Sequence, residues 1–172
     1  KEICDIARGK DVPVLLDGAQ ATGQFPINLR ELGCDFYVTS GHKWMMGPWG
    51  VGISYVRRDW LDKLEVSWTG SGVQSSLDWE TYEITYLDSA RRYEFGARHW
   101  PLYAALGKAI QFLRELGVHA IHARATSLAN VAKQQLAMIA GVEVLTPMCQ
   151  ELSTGIVTIR VSGYEGEELS EK

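Results

Sequence analysis

Residues 17–43 constrain this chain more than any other stretch. Asp17-Gly18-Ala19-Gln20 follows directly on the apolar run Val12-Pro13-Val14-Leu15-Leu16. Ser40-Gly41-His42-Lys43 follows directly on a second strand-like run, Asp35-Phe36-Tyr37-Val38-Thr39. Each run reads as a short strand that places polar groups at its C-terminal end, with a crossover between the two. In an open α/β sheet, ligands bind at that edge. The nearly continuous apolar residues over 12–17 predict a buried strand of parallel sheet.

Residues of these types serve pyridoxal phosphate chemistry. A lysine amine forms a Schiff base with an aldehyde cofactor, and Lys43 is the candidate. A carboxylate paired with the pyridinium nitrogen keeps the ring protonated as an electron sink, and Asp17 is the candidate, expected to be buried. Gln20 is placed to donate to the phenolic oxygen. Ser40 and His42 offer a hydroxyl and an imidazole N–H for the phosphate.

At these residues the chain resembles the class V aminotransferases, fold-type I pyridoxal phosphate enzymes that include cysteine desulfurases, selenocysteine lyases and isopenicillin-N-epimerase-like proteins. The matching motifs are Asp17-Gly18-Ala19-Gln20, Ser40-Gly41-His42-Lys43, Gly47-Pro48-Trp49-Gly50-Val51-Gly52 and Tyr93-Glu94-Phe95-Gly96-Ala97-Arg98. The resemblance implies a salt bridge from Asp17 to the ring nitrogen and Ala19 and Gln20 beside the ring. It puts Ser40 and His42 at the phosphate and makes Lys43 the covalent attachment point. It also implies an α/β fold: part of a three-layer, mostly parallel large domain over 1–118, then the start of a smaller α+β domain over 119–172. A homodimer acting on an amino-acid-like substrate goes with it.

Each piece has a plainer reading. Asp after a strand is ordinarily a turn former, Lys43 alone a solvated lysine, and the glycines of 47–52 a turn into the next strand. Their joint occurrence at strand ends, in the family's order, favours the cofactor. A nicotinamide fingerprint needs G-x-G-x-x-G between strand and helix, whereas Gly47–Gly52 leads into a strand. A serine hydrolase elbow needs G-x-S-x-G, and Thr39-Ser40-Gly41-His42 lacks its first glycine. A non-catalytic scaffold is opposed by the complete set at 17, 20, 40, 42 and 43.

A chain of 172 residues, 46% hydrophobic and 22% charged, suffices for a globular core. No apolar run reaches membrane-span length and no secretory signal is visible. The net charge of −4 with interspersed signs argues against nucleic acid. Cys4, Cys34 and Cys149 are scattered and match no metal spacing, which suits a reducing cytoplasm. Cys34, at the mouth of a strand, reads as buried packing.

Along the chain, 1–9 reads as a helix end with Gly9 as its cap. Residues 28–33 form a short helix between an Asn28 cap and a Gly33 stop. The run 51–56 is a strand whose short link to 35–39 predicts antiparallel pairing. Residues 59–64 begin a helix that fails, and 65–92 read as one irregular, tryptophan-bearing loop facing substrate or subunit. Helices follow over 99–116 and 118–140. The apolar face of the first is Leu102, Leu106, Ala109, Leu113 and Leu116; that of the second is Ile121, Ala125, Leu128, Ala132, Leu136 and Ile139. His119 and His122 read as exposed helix residues. Runs 142–145 and 156–159 read as strands, and a charged helix starts over 165–172.

The reaction stays open at this stage: Lys43, once freed, is suited to move protons at the substrate α-carbon, which serves transamination, racemisation and elimination alike. The family's usual threonine at position 97, which reaches a neighbouring subunit's phosphate, is replaced by Ala97. Arg98 beside it is a stronger donor whose direction the sequence leaves open. The form Tyr-Glu-Phe-Gly-x-Arg-x-Trp-Pro resembles the isopenicillin-N-epimerase-like branch. Cys149 comes too early to be the late-loop cysteine of the desulfurases. Both ends read as cut, so the chain alone is expected to bind the cofactor poorly, to turn over no substrate and to self-associate.

Overall fold

A computed structural model describes residues 1–166; the charged run expected over 165–172 lies almost wholly outside the described residues. They fall into two compact units, 1–22 with 27–111, and 23–26 with 112 onward.

The first unit opens with α1 (Glu2–Arg8), β1 (Leu15–Asp17), α2 (Leu29–Leu32), β2 (Phe36–Ser40) and β3 (Gly52–Val56). The sheet order is β1-β2-β3. β1 runs parallel to β2, with Asp17 opposite Val38, and β3 returns antiparallel, with Gly52 opposite Ser40. The antiparallel return is the one the short 41–51 link requires. Asn28 caps α2, its Oδ1 accepting from the Arg30 and Glu31 amides, and Gly33 stops it at φ 70°.

The core of this unit gathers Cys4, Cys34 and Tyr37, with Val14, Leu16, Ile27, Leu29 and Tyr55 packed on them. Cys34 is buried as expected; burial, and then the nearby Cys4 thiol, push its own thiol up from the ordinary value. β1 is not the two-sided buried strand that its apolar run predicts. Val14 and Leu16 turn inward, whereas Val12 and Leu15 are 55% and 58% exposed. β1 is the edge of its sheet, and among the described residues only one of its faces is covered. Gly9 closes α1 in right-handed geometry, and the left-handed residue that redirects the chain is Asp11, φ 56°.

After β3 the chain makes one 3-10 turn, Arg58–Trp60, as a helix that fails should. The segment 65–92 is more ordered than its composition predicts. It contains a bulged antiparallel hairpin, β4 (Gln74–Leu77) with β5 (Ile84–Tyr86). Asp78 turns the connection by accepting from the Glu80 and Thr81 amides at 2.7 and 3.1 Å, and Val73 anchors its foot, fully buried. Trp68 stacks on Phe95 with ring centroids 6.1 Å apart. α3 (Trp100–Leu116) carries Pro101 in its first turn, where no amide is missed. Leu106 and Leu113 of its apolar face are buried, but Leu116 is exposed.

The second unit is built from α4 (Val118–Leu136) and an antiparallel pair, β6 (Val142–Val144) and β7 (Ile159–Val161). α4 ends four residues before the predicted stop at 140, and β7 starts three residues later than the run predicted over 156–159. The larger correction concerns the face of α4. Its buried residues are Thr126, Ala129 and Lys133, while Leu128 of the predicted apolar stripe is 51% exposed. His122 is half-buried rather than exposed and meets Phe25 edge-on at 5.8 Å; His119 is exposed as expected. Lys133 takes part in burial because its ammonium is satisfied, donating to the Pro147 carbonyl and to Ser153 Oγ, each at 2.8 Å. Its long stem then packs as an apolar chain. No helix among the described residues is long and apolar enough to cross a membrane.

Candidate active site

The parallel pairing of β1 with β2 brings their C-terminal ends to one edge of the first unit, as the sequence predicts. Asp17, Ala19, Ser40 and His42 line one cavity there, of about 400 Å³, with Val38, Thr39 and the Gly50-Val51-Gly52 backbone. Four of the six residues singled out from sequence are thus brought together. Gln20 and Lys43 are not in the cavity wall: both are exposed, Lys43 on the loop that leaves β2.

That loop is closed at its base. The Gly41 amide donates to the Val51 carbonyl and the Gly47 amide to the Gly41 carbonyl, each at 2.8 Å. Met45 is 3% exposed and anchors the loop from within. Glycine is required at 47 by close approach: a Cβ there would lie 2.7 Å from Leu106 Cδ1 and 2.8 Å from the Gly41 carbonyl. The same tightness presents Lys43 outward.

Asp17 is exposed, not buried as expected. Its Oδ1 accepts from the Ala19 amide at 2.8 Å, so the carboxylate does form the ordinary turn after a strand. A single amide on Oδ1 leaves acceptor capacity on Oδ2 for a cation. Beneath it the Gly18 carbonyl accepts from Thr39 Oγ1 and Thr22 Oγ1, both at 3.2 Å, which fixes the turn to β2.

Ser40 Oγ is buried and makes no hydrogen bond among the described residues. A buried hydroxyl left in that state is costly unless a ligand meets it. His42 stacks on Trp49, with ring centroids 4.2 Å apart and planes 12° from parallel. Trp44 donates its indole N–H to Gln20 Oε1 at 3.1 Å. An indole N–H is a donor only, so it fixes which end of the amide faces it. Sequence reasoning missed both tryptophans as members of the site; their visible marks are that both follow Lys43 within the glycine loop and that Trp49 stands in the Gly47–Gly52 motif.

A second cavity of about 330 Å³ shares Gly50 and Val51 with the first and is lined by Glu94, Phe95, Ala97, Arg98, His99, Leu102 and Tyr103. The direction of Arg98 is now plain. It donates to the Glu94 carbonyl, and its Nε sits 3.1 Å from the Glu94 carboxylate. That second contact is an ion pair without hydrogen-bond alignment, since Nε finds no aligned acceptor among the described residues. Its guanidinium also packs over Gly72. Arg98 therefore pins its own turn rather than reaching outward. Among the described residues no cluster of His, Cys, Asp or Glu suits a metal ion.

The description of the family "Aminotransferase class-V" matches residues 1–172. An isopenicillin N epimerase of Streptomyces clavuligerus is 36% identical over 98% of this chain and 44% of its own length. A cysteine desulfurase of Yersinia pestis is 36% identical over 86% of this chain and 36% of its own. Among solved structures, the apo cysteine desulfurase of Thermococcus onnurineus superposes with a TM-score of 0.86 at 24% identity, over 99% of this chain and 42% of that one. The chain belongs to the class V aminotransferase family, whose members are pyridoxal phosphate enzymes of fold type I. It spans less than half the length of the curated relatives it matches.

Proposed function

We propose that this chain carries the cofactor-holding edge of a pyridoxal-phosphate-dependent enzyme acting on an amino-acid-like substrate, with Lys43 as the attachment lysine. The reading is carried by the cavity that joins Asp17, Ala19, Ser40 and His42; the Ser40 hydroxyl lies buried behind it and makes no hydrogen bond among the described residues. That donor set fits the cofactor. The hydroxyl and the imidazole suit a phosphate, and the outer oxygen of Asp17 suits a pyridinium N–H.

When bound, the cofactor supplies an aldehyde for amines and a ring that withdraws electrons. The rest falls to the protein. Asp17 holds the ring nitrogen protonated. Gln20, whose Oε1 accepts from Trp44, would be the residue to reach the ring oxygen. Ser40 and His42 hold the phosphate. Lys43, on its closed loop, would hold the cofactor's aldehyde and, as a free amine, would take and return a proton at the substrate α-carbon. The division near residue 118 into parts of a large and a small domain, and a homodimer, belong to the same proposal.

The reaction class is best framed by the two relatives. Likeness to the epimerase over nearly the whole chain, with the Tyr93–Arg98 motif, favours proton transfer at the α-carbon; likeness to the desulfurase favours carbon–sulfur cleavage. The test is borohydride reduction of the full-length protein with pyridoxal phosphate, then peptide mapping. The adduct is expected on Lys43; an adduct on another lysine, or none in folded protein, overturns the assignment. Sulfide release from cysteine would select the second reaction, and solvent deuterium appearing at the α-carbon without it the first.

A further inference from the structure

We propose that Trp49 is a positioning residue for the cofactor's phosphate, acting through His42; this rests on the cofactor reading above. The indole and imidazole planes lie 12° apart at 4.2 Å, so the stack covers one face of the imidazole and leaves its edge, with both nitrogens, clear of the indole. Neither nitrogen makes a hydrogen bond among the described residues, yet the ring belongs to the wall of the cavity that contains Ser40. Ser40 and His42 therefore line one cavity, the first with a buried hydroxyl that makes no hydrogen bond among the described residues and the second with a stacked imidazole. This is the donor pattern an anion requires.

Trp49 can act as a platform because its backbone is fixed. Pro48 before it has a locked φ, Gly50 after it turns the chain at φ 82°, and the bonds Gly47 to Gly41 and Gly41 to Val51 close the loop on both sides. The indole is nevertheless 80% exposed. The ring contact that the structure gives it among the described residues is the stack on His42. Without that contact the imidazole, on a loop, samples several rotamers, and ordering it when phosphate binds costs affinity. With it, that ordering is already in place.

The prediction separates a phosphate role from general support of the site. In the full-length protein, affinities for pyridoxal phosphate and for pyridoxal, which lacks the phosphate, are measured by titrating the visible absorption of the bound cofactor. Trp49→Ala should weaken pyridoxal phosphate binding about three- to tenfold, the range of an aromatic stacking contribution, and leave pyridoxal binding unchanged. Trp49→Phe, which keeps a stacking face, should restore most of the loss. In a His42→Ala background Trp49→Ala should have no further effect, because the only route from the indole to the phosphate is gone. An equal weakening for both ligands, or a loss that persists without His42, overturns the role of Trp49 while a parental protein that binds cofactor on Lys43 leaves the functional reading standing. A parental protein that binds neither ligand overturns both.

Discussion

The indole N–H of Trp60 donates to Oδ1 of Asp35 at 2.7 Å, and the same oxygen lies 2.7 Å from the Arg57 guanidinium. The other oxygen, Oδ2, accepts from the Val14 amide at 2.7 Å. Asp35 is thus the knot that ties the approach to β1, the end of β3 and the following 3-10 turn to the start of β2. Burial pushes its carboxyl up, but the Val14 amide, the Trp60 indole and Arg57 together outweigh it and hold the group below the usual carboxylate range. A depressed folded value means that Asp35 contributes stability at pH above its unfolded value of about 3.9. That contribution is lost as pH falls from there through the folded value. Asp35→Ala should cost about 2–4 kcal/mol by denaturant unfolding at neutral pH. This is somewhat below the loss for a fully buried pair, because Arg57 is one-third exposed and keeps Asp59. The difference between parent and variant should shrink below about pH 4; a gap that stays constant with pH refutes the electrostatic account.

A Cβ on Gly18 would overlap both the Tyr37 hydroxyl and the ring carbon that bears it. Tyr37 is 6% exposed and its hydroxyl bonds Thr22 Oγ1 at 2.7 Å, so the ring has nowhere to move. Gly18→Ala should lower stability by about 1–3 kcal/mol, as overpacking does, and should be read from the melting temperature. Tyr37→Phe should not relieve it, since the ring carbon overlaps as well. An unchanged melting temperature in Gly18→Ala shows that the turn yields and that the glycine is not required there.

The three cysteines should separate cleanly by reactivity. Cys149 is exposed, with its thiol 2.9 Å from a Glu151 oxygen, whereas Cys4 and Cys34 are 2% and 0% exposed. Thiolate is the reactive form, and burial together with Cys4 pushes the Cys34 thiol away from it. In native protein treated with a thiol-alkylating reagent and mapped by peptide, Cys149 should be labelled promptly and Cys4 and Cys34 only on unfolding. Prompt labelling of Cys34 means that α1 opens from the sheet in solution.

What the sequence disclosed, and what it hid, divides by the range of the interaction. Asn28 and Gly33 act within one turn of helix, so their pattern predicts α2 directly. The return of β3 follows from the length of one link. The convergence of Asp17, Ser40 and His42 follows because strand ends in a parallel pair share an edge. The β4–β5 hairpin was hidden because Ser75 and Ser76 break the apolar pattern and its turn is made by Asp78, a side chain rather than a glycine pair. The covered face of α4 was hidden because Lys133 is buried through partners at Pro147 and Ser153, fourteen and twenty residues on. Trp44 and Trp49 escaped for a related reason. Their contacts with Gln20 and His42 depend on how the Lys43 loop closes, and no periodicity encodes that closure.

Asp17 offers the sharpest separation of structure from chemistry. Its Oδ1 holds the Ala19 amide at 2.8 Å, a bond that an asparagine oxygen makes equally well. Asp17→Asn should therefore keep the turn, and its melting temperature should match the parent. Asp17→Ala loses the turn bond too, but at an exposed position, where such a bond contributes about 0.5–1.5 kcal/mol at most. The charge is another matter. If Asp17 holds a protonated ring nitrogen, removing the anion forfeits a charge-assisted hydrogen bond of about 1.5–3 kcal/mol, or about 10- to 100-fold in rate. Asp17→Asn in the full-length protein should then still take up pyridoxal phosphate, while the spectral change on adding amino acid slows by that factor. Both variants should be slowed alike, because both lack the charge, although only one lacks the turn bond. A parental rate in Asp17→Asn, with a slow rate in Asp17→Ala, would assign Asp17 to the turn alone and leave the ring nitrogen without its partner in this chain.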